Sequence, residues 1–77
     1  MNQQLSRLRA PTEQLASIEE HVRNRLIGRV RELQLLLRDQ GLVLRGYTKT
    51  YYAKQLAQHV VLEMTDLPIR ANEIEVS

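Results

Sequence analysis

Apolar positions recur along the chain with two different periods, and the switches between them mark out the elements. Leu15, Ile18, Val22 and Leu26 fall at spacings of three, four and four, which places them on one face of an α-helix. Thr12 is positioned to cap that helix, Glu13 puts a carboxylate in its first turn, and Gly28 is its natural stop. The period then drops to two. Leu33, Leu35 and Leu37 alternate with Gln34, Leu36 and Arg38; beyond Asp39-Gln40-Gly41, Leu42 and Leu44 alternate with Val43 and Arg45. Two alternating runs around such a turn predict a β-hairpin, with Gly41 supplying the positive φ. Gly46 is expected to end the second strand. A helical period then returns: Thr50 caps a second helix whose apolar face is Ala53, Leu56, Ala57, Val60, Val61 and Met64, and Asp66-Leu67-Pro68 breaks it. In the tail, Asn72, Ile74 and Val76 alternate with Glu73 and Glu75, the pattern of a third strand.

The order α-β-β-α-β predicts an α+β fold, a two-layer sandwich with two helices packed on one face of a three-stranded sheet. Residues 1–11, polar apart from Leu5 and Leu8 and ending in Pro11, read as a loosely ordered arm, and residues 12–77 as one domain. If the helices cover Leu33, Leu35, Leu37, Leu42, Leu44, Ile74 and Val76, alternation forces Gln34, Leu36, Arg38, Val43, Arg45, Tyr47, Glu73 and Glu75 onto the opposite face. There Leu36, Val43 and Tyr47 form an apolar patch beside Arg38 and Arg45. This is a candidate surface for a protein partner or for a homodimer through the open sheet face. The alternative is a solvated face bearing three stray apolar residues, which is ordinary.

Composition narrows the picture. A chain of 77 residues buries only about 60% of its unfolded surface, so its core is thin. The absence of cysteine removes disulfides and thiolate metal sites and suits a reducing compartment. No apolar run approaches the ~20 residues of a membrane span. The opening MNQQLSRLRA lacks the apolar stretch of a secretory signal, so the expected location is cytoplasmic, or periplasmic only for a processed fragment. Residues 1–54 carry ten Lys/Arg against five Asp/Glu, whereas residues 55–77 carry one against four. Such asymmetry points to an anionic partner, although an unevenly charged solvated surface gives the same counts. Arg23, Arg25, Arg29 and Arg31 are the candidate contacts to an anionic membrane surface, at ~1 kcal/mol per cation. The helix's apolar face is needed for the core, which leaves electrostatic adhesion sensitive to salt.

The order of elements and several residues resemble the BON domain (bacterial OsmY and nodulation). The family's apolar-x-apolar-x-Gly strand reads here as Leu42-Val43-Leu44-Arg45-Gly46. The hydroxyl cap of the following helix is Thr50, the alanine within it is Ala57, and the last strand reads Asn72-Glu73-Ile74-Glu75-Val76. The resemblance spans roughly residues 13–77. Gln40 intervenes before the turn glycine, Leu67-Pro68-Ile69 replaces a Gly-Val, and Thr48 stands where the family prefers an apolar residue. Members are often periplasmic or membrane-attached and occur in pairs or appended to larger proteins. The resemblance implies a non-catalytic interaction module that engages a protein partner or a phospholipid surface.

No constellation of residues points to catalysis, a cofactor or a small-molecule substrate. His21 and His59 stand apart on helices, and Gly28, Gly41 and Gly46 are too dispersed to cradle phosphate. Nucleic acid is the competing ligand, since clustered arginines suit backbone phosphates. Against it, there is no Gly-x-x-Gly loop and neither Phe nor Trp for stacking. All three tyrosines and both lysines fall in RGYTKTYYAKQ, residues 45–55. That stretch reads as a seam: Arg45 and Tyr47 finish a strand on its outward face, while Tyr51 and Tyr52 open a helix, one ring packing on the sheet edge.

Overall fold

The computed structural model describes residues 11–77, with side chains from residue 14 onward. Residues 1–10 of the expected 1–11 arm lie outside that description; Pro11, expected to end the arm, is the first residue of a helix, and Thr12, expected as its cap, lies within it. Two helices, α1 (Pro11–Arg25) and α2 (Tyr51–Met64), cover one face of a four-stranded mixed sheet. Its strands are β1 (Val30–Arg38), β2 (Gly41–Thr48), β3 (Ile69–Asn72) and β4 (Glu75–Val76). β1 pairs antiparallel with β2, and both β3 and β4 run parallel to β2 along its other side. This is the expected α+β sandwich. Its third strand, however, is split into two short pieces.

Alternation within the strands delivers the core. Leu33, Leu35, Leu42, Leu44 and Ile74 point at the helices and meet Val22 and Leu26 of α1 and its following turn, and Ala53, Ala57, Val60 and Val61 of α2. Leu37 and Val76, expected inside, are 48% and 43% exposed. Leu37 sits beside the hairpin tip on the terminal strand, and Val76 pairs with the last residue of β2; both are at the sheet's margins. Thr50 caps α2, its hydroxyl accepting from the Ala53 N–H at 3.0 Å. Thr48 is buried, and its hydroxyl donates to the Arg29 carbonyl at 2.7 Å, tying the end of β2 to the α1–β1 turn.

Two backbone features depart from the sequence reading. The hairpin turn is the dipeptide Asp39-Gln40, with φ of 52° and 61°, between the paired residues Arg38 and Gly41. Positive φ at both central residues is what a two-residue hairpin twist requires. Gly41 therefore does not supply it. It is a strand residue pressed so closely on β3 that a Cβ there would lie 2.8 Å from the Pro68 carbonyl oxygen and 2.7 Å from Arg70 Cγ. The second feature is a β-bulge in β1. Arg31 pairs with Tyr47 and Gln34 with Arg45, so Glu32 (φ 53°) and Leu33 together face Gly46. The extra residue lets Val30 and Leu33, three apart, both point into the core.

Gly46 thus lies inside β2 and does not end it. A Cβ at this position would come within 3.0 Å of the Arg31 carbonyl oxygen and 3.1 Å of Val30 Cγ1, at a φ of +156°. On the other side of β2 the chain breaks between β3 and β4 at Glu73–Ile74, level with Arg45–Gly46. There the Asn72 carboxamide accepts from the Ile74 N–H at 3.2 Å and donates to the Lys54 carbonyl at 3.0 Å, pinning the break to α2.

These geometries predict opposite responses to glycine chemistry. Gln40→Gly removes a left-handed non-glycine residue and is expected to raise unfolding free energy by about 1 kcal/mol. Gly46→Ala forces a methyl into the bulge and is expected to lower it by about 1–3 kcal/mol. Urea unfolding followed by circular dichroism measures both, and equal effects would disprove the assignment of the two positions.

Candidate functional site

The open sheet face does not present the expected apolar patch. Leu36 and Val43 pair across β1 and β2, and Ala71 pairs with Val43 from β3, forming a short apolar row. Val43 is fully buried, although it lies outside the core under the helices, and Leu36 is half-buried. The cover is ionic. Arg45 Nε donates to Glu73 Oε1 at 3.0 Å, and Arg38 Nη1 approaches Glu73 Oε2 at 3.9 Å from across β2. To meet one carboxylate from strand positions on either side of Val43, the two arginines must span the face above it. Each pair is about half exposed, so each contributes less than about 1 kcal/mol. Their consequence is to keep the apolar row from solvent. Tyr47, 41% exposed, stands at one end of this face, whose neighbouring surface mixes Glu32, Glu73 and Glu75 with Arg23 and Arg45.

The four arginines read as anionic contacts also separate. Arg23 pairs with Glu19 at 2.8 Å and donates to the Leu33 carbonyl at 3.3 Å. Arg25 lies 3.8 Å from Glu63, which His59 also approaches at 3.3 Å. Both cations are spent on carboxylates of this chain. Arg29 and Arg31 are in no ion pair among the described residues and are exposed.

Arg29 and Arg31 line a shallow concavity of about 540 Å³ with Lys49, Tyr47 and Tyr52. No carboxylate lines it among the described residues. The first turn of α2 opens into it through Thr50 and Ala53, so the positive end of the helix dipole adds to the charge. Strand pairing assembles this site. Val30 lies opposite Thr48 and Arg31 opposite Tyr47, which brings the α1–β1 turn beside the β2–α2 turn. Tyr47 and Tyr52 flank the cations; Tyr51 and Tyr52 are 66% and 65% exposed, so neither ring is buried against the sheet. Two parts of the RGYTKTYYAKQ stretch that appear unrelated in sequence therefore share one cleft.

The arrangement brings cations and tyrosine rings together in one cleft. No group of three His, Asp or Glu side chains able to hold a metal occurs among the described residues. No helix among them is long and apolar enough to cross a membrane. No family model, curated protein or solved structure matches this chain.

The ionic cover gives a direct test. Glu73→Ala is expected to cost about 1 kcal/mol or less, because both lost pairs are half exposed. It should at the same time accelerate amide exchange at Val43. A loss above about 3 kcal/mol, the scale of a broken buried pair, would show that the pairs are not solvent-screened.

Proposed function

We propose that this protein is a non-catalytic binding module that adheres to anionic phospholipid surfaces through the cleft formed by Arg29, Arg31 and Lys49, flanked by Tyr47 and Tyr52. The observation that carries this reading is the convergence of three unpaired cations in a concavity without a carboxylate, while the cations elsewhere on α1 and on the open face meet Glu19, Glu63 and Glu73. The resemblance of Leu42–Gly46, Thr50, Ala57 and Asn72–Val76 to the BON domain supports the same class of ligand. Tyrosine, with an apolar ring and a polar tip, suits the headgroup level of a bilayer. A protein partner on the open sheet face is the weaker reading, since Val43 is covered and the surrounding charges are mixed.

Magnitudes set what such a module can do. Three cations at ~1 kcal/mol each supply ~3 kcal/mol, roughly a hundredfold enrichment at the surface. Binding of one copy is weak and falls as salt shortens the screening length.

Cosedimentation with phosphatidylglycerol-containing vesicles tests the reading against phosphatidylcholine vesicles and a single-stranded oligonucleotide. Binding is expected to the anionic vesicles alone, weakened by salt, and reduced roughly a hundredfold in the Arg29→Ala/Arg31→Ala/Lys49→Ala variant. Equal binding to neutral vesicles would overturn it. Binding to the oligonucleotide and not to vesicles would put the nucleic-acid reading in its place.

A further inference from the structure

The turn between α1 and β1 holds a side chain that the fold does not use. The Leu26 carbonyl accepts from the Arg29 N–H at 2.9 Å and from the Val30 N–H at 3.1 Å, which leaves Ile27 and Gly28 at the centre of the turn. Gly28 takes the left-handed φ of 83°, and Leu26 is buried in the core. Ile27 is 78% exposed, more than any other large apolar side chain among the described residues. It belongs neither to the core nor to the apolar side chains packed against it. Turn centres favour Gly, Pro, Asn, Asp and Ser, so a bulky branched residue here breaks a local preference and gains no packing in return.

One stray apolar residue on a surface is ordinary. Ile27, however, adjoins Gly28 and Arg29, which line the basic cleft. Tyr52 lines the same cleft, and both it and Tyr51 are exposed. Val30 pairs with Thr48 at the end of the hairpin remote from its Asp39-Gln40 turn, so both segments stand at one end of the sheet. Apolar and aromatic side chains are gathered there beside Arg29, Arg31 and Lys49.

We propose that Ile27 is a membrane anchor, entering the acyl boundary of an anionic phospholipid bilayer while the cations of the cleft hold the headgroups. This inference rests on the reading of the cleft as a phospholipid site and adds to it a contact that salt does not screen. Charge complementarity selects the occupant. Cations in a concavity that no carboxylate lines among the described residues fit a surface made of anions, and in a bilayer the apolar layer lies directly beneath those anions. Ile27 and Arg29 are two residues apart, at most ~7 Å along the chain. That separation matches the ~5–10 Å depth to which interfacial apolar side chains sink. Tyr51 and Tyr52, each with an apolar ring and a polar tip, suit the level between the two.

Two substitutions at this position test the anchor. Ile27→Ser removes the apolar side chain and, at an exposed site, is expected to leave thermal unfolding unchanged. It should weaken cosedimentation with phosphatidylglycerol-containing vesicles about tenfold at every salt concentration. The chain has no tryptophan, so Ile27→Trp is a unique reporter. Its emission is expected to shift to the blue on adding those vesicles and to be quenched when their acyl chains are brominated. Wild-type binding with an unaffected Ile27→Ser variant, or with no shift in Ile27→Trp, overturns the anchor and leaves the electrostatic reading standing. Wild type that does not bind the vesicles overturns both. A blue shift that needs no vesicles and grows with protein concentration assigns Ile27 to a contact with a second copy, and overturns the anchor. If Ile27→Ser does not fold, the emission and quenching of Ile27→Trp decide alone.

Discussion

The whole architecture depends on one strand. β1, β3 and β4 all pair with β2 and with no other strand, so the sheet exists only as neighbours of residues 41–48. Gly41, Leu42, Val43 and Leu44 are buried without interruption, and Gly46 and Thr48 are buried beyond them, a pattern more typical of an interior strand than of one face of a hairpin. Such a strand tolerates little adjustment, because a one-residue slip would send Leu42 and Leu44 to the wrong face. The irregularities needed to bend a short sheet around two helices are pushed onto its neighbours: a bulge on β1 and a break between β3 and β4. Both fall level with Gly46, where β2 has no side chain to obstruct them.

That constraint explains what could and could not be read from the sequence. The helical faces and the Thr50 cap are local, set within four residues, and were legible. So was the division of the sheet into a core face and an open face, since alternation is also local. The bulge was not, because it answers a three-residue spacing between Val30 and Leu33 that only matters once β2 stands beside them. The turn misled for a related reason. Gly41 looked like the source of positive φ, whereas its lack of a side chain serves the approach of Pro68 and Arg70 from a segment about thirty residues away. The contacts of Glu19 with the Leu35 N–H and of Arg23 with the Leu33 carbonyl likewise join α1 to β1 across ten or more residues and have no local signature.

The candidate site was half legible. Arg29 and Arg31 stand out in the sequence as clustered cations, whereas Lys49 and Tyr52 fall in a separate stretch at the start of the second helix. A signal was nevertheless present. With the hairpin turning at Asp39-Gln40, counting back along both strands from Arg38 and Gly41 brings residues 30–31 beside residues 47–49, with or without the bulge. The open-face patch failed for a different physical reason. Alternation specifies which side chains share a face, but it is silent on whether long ones lie across short ones, and Arg38, Arg45 and Glu73 do.

Charge bookkeeping ties the fold to its proposed role. The net charge of +2 is too small to draw the protein to an anionic surface as a whole. Glu19, Glu63 and Glu73 pair with cations along α1 and across the open face, and Arg29, Arg31 and Lys49 are set apart by sharing one concavity that no carboxylate lines among the described residues. On the proposed reading, a few kcal/mol from three cations would give one module only transient adhesion. Two modules held together convert the second contact into an intramolecular one, and avidity then rises without any new contact.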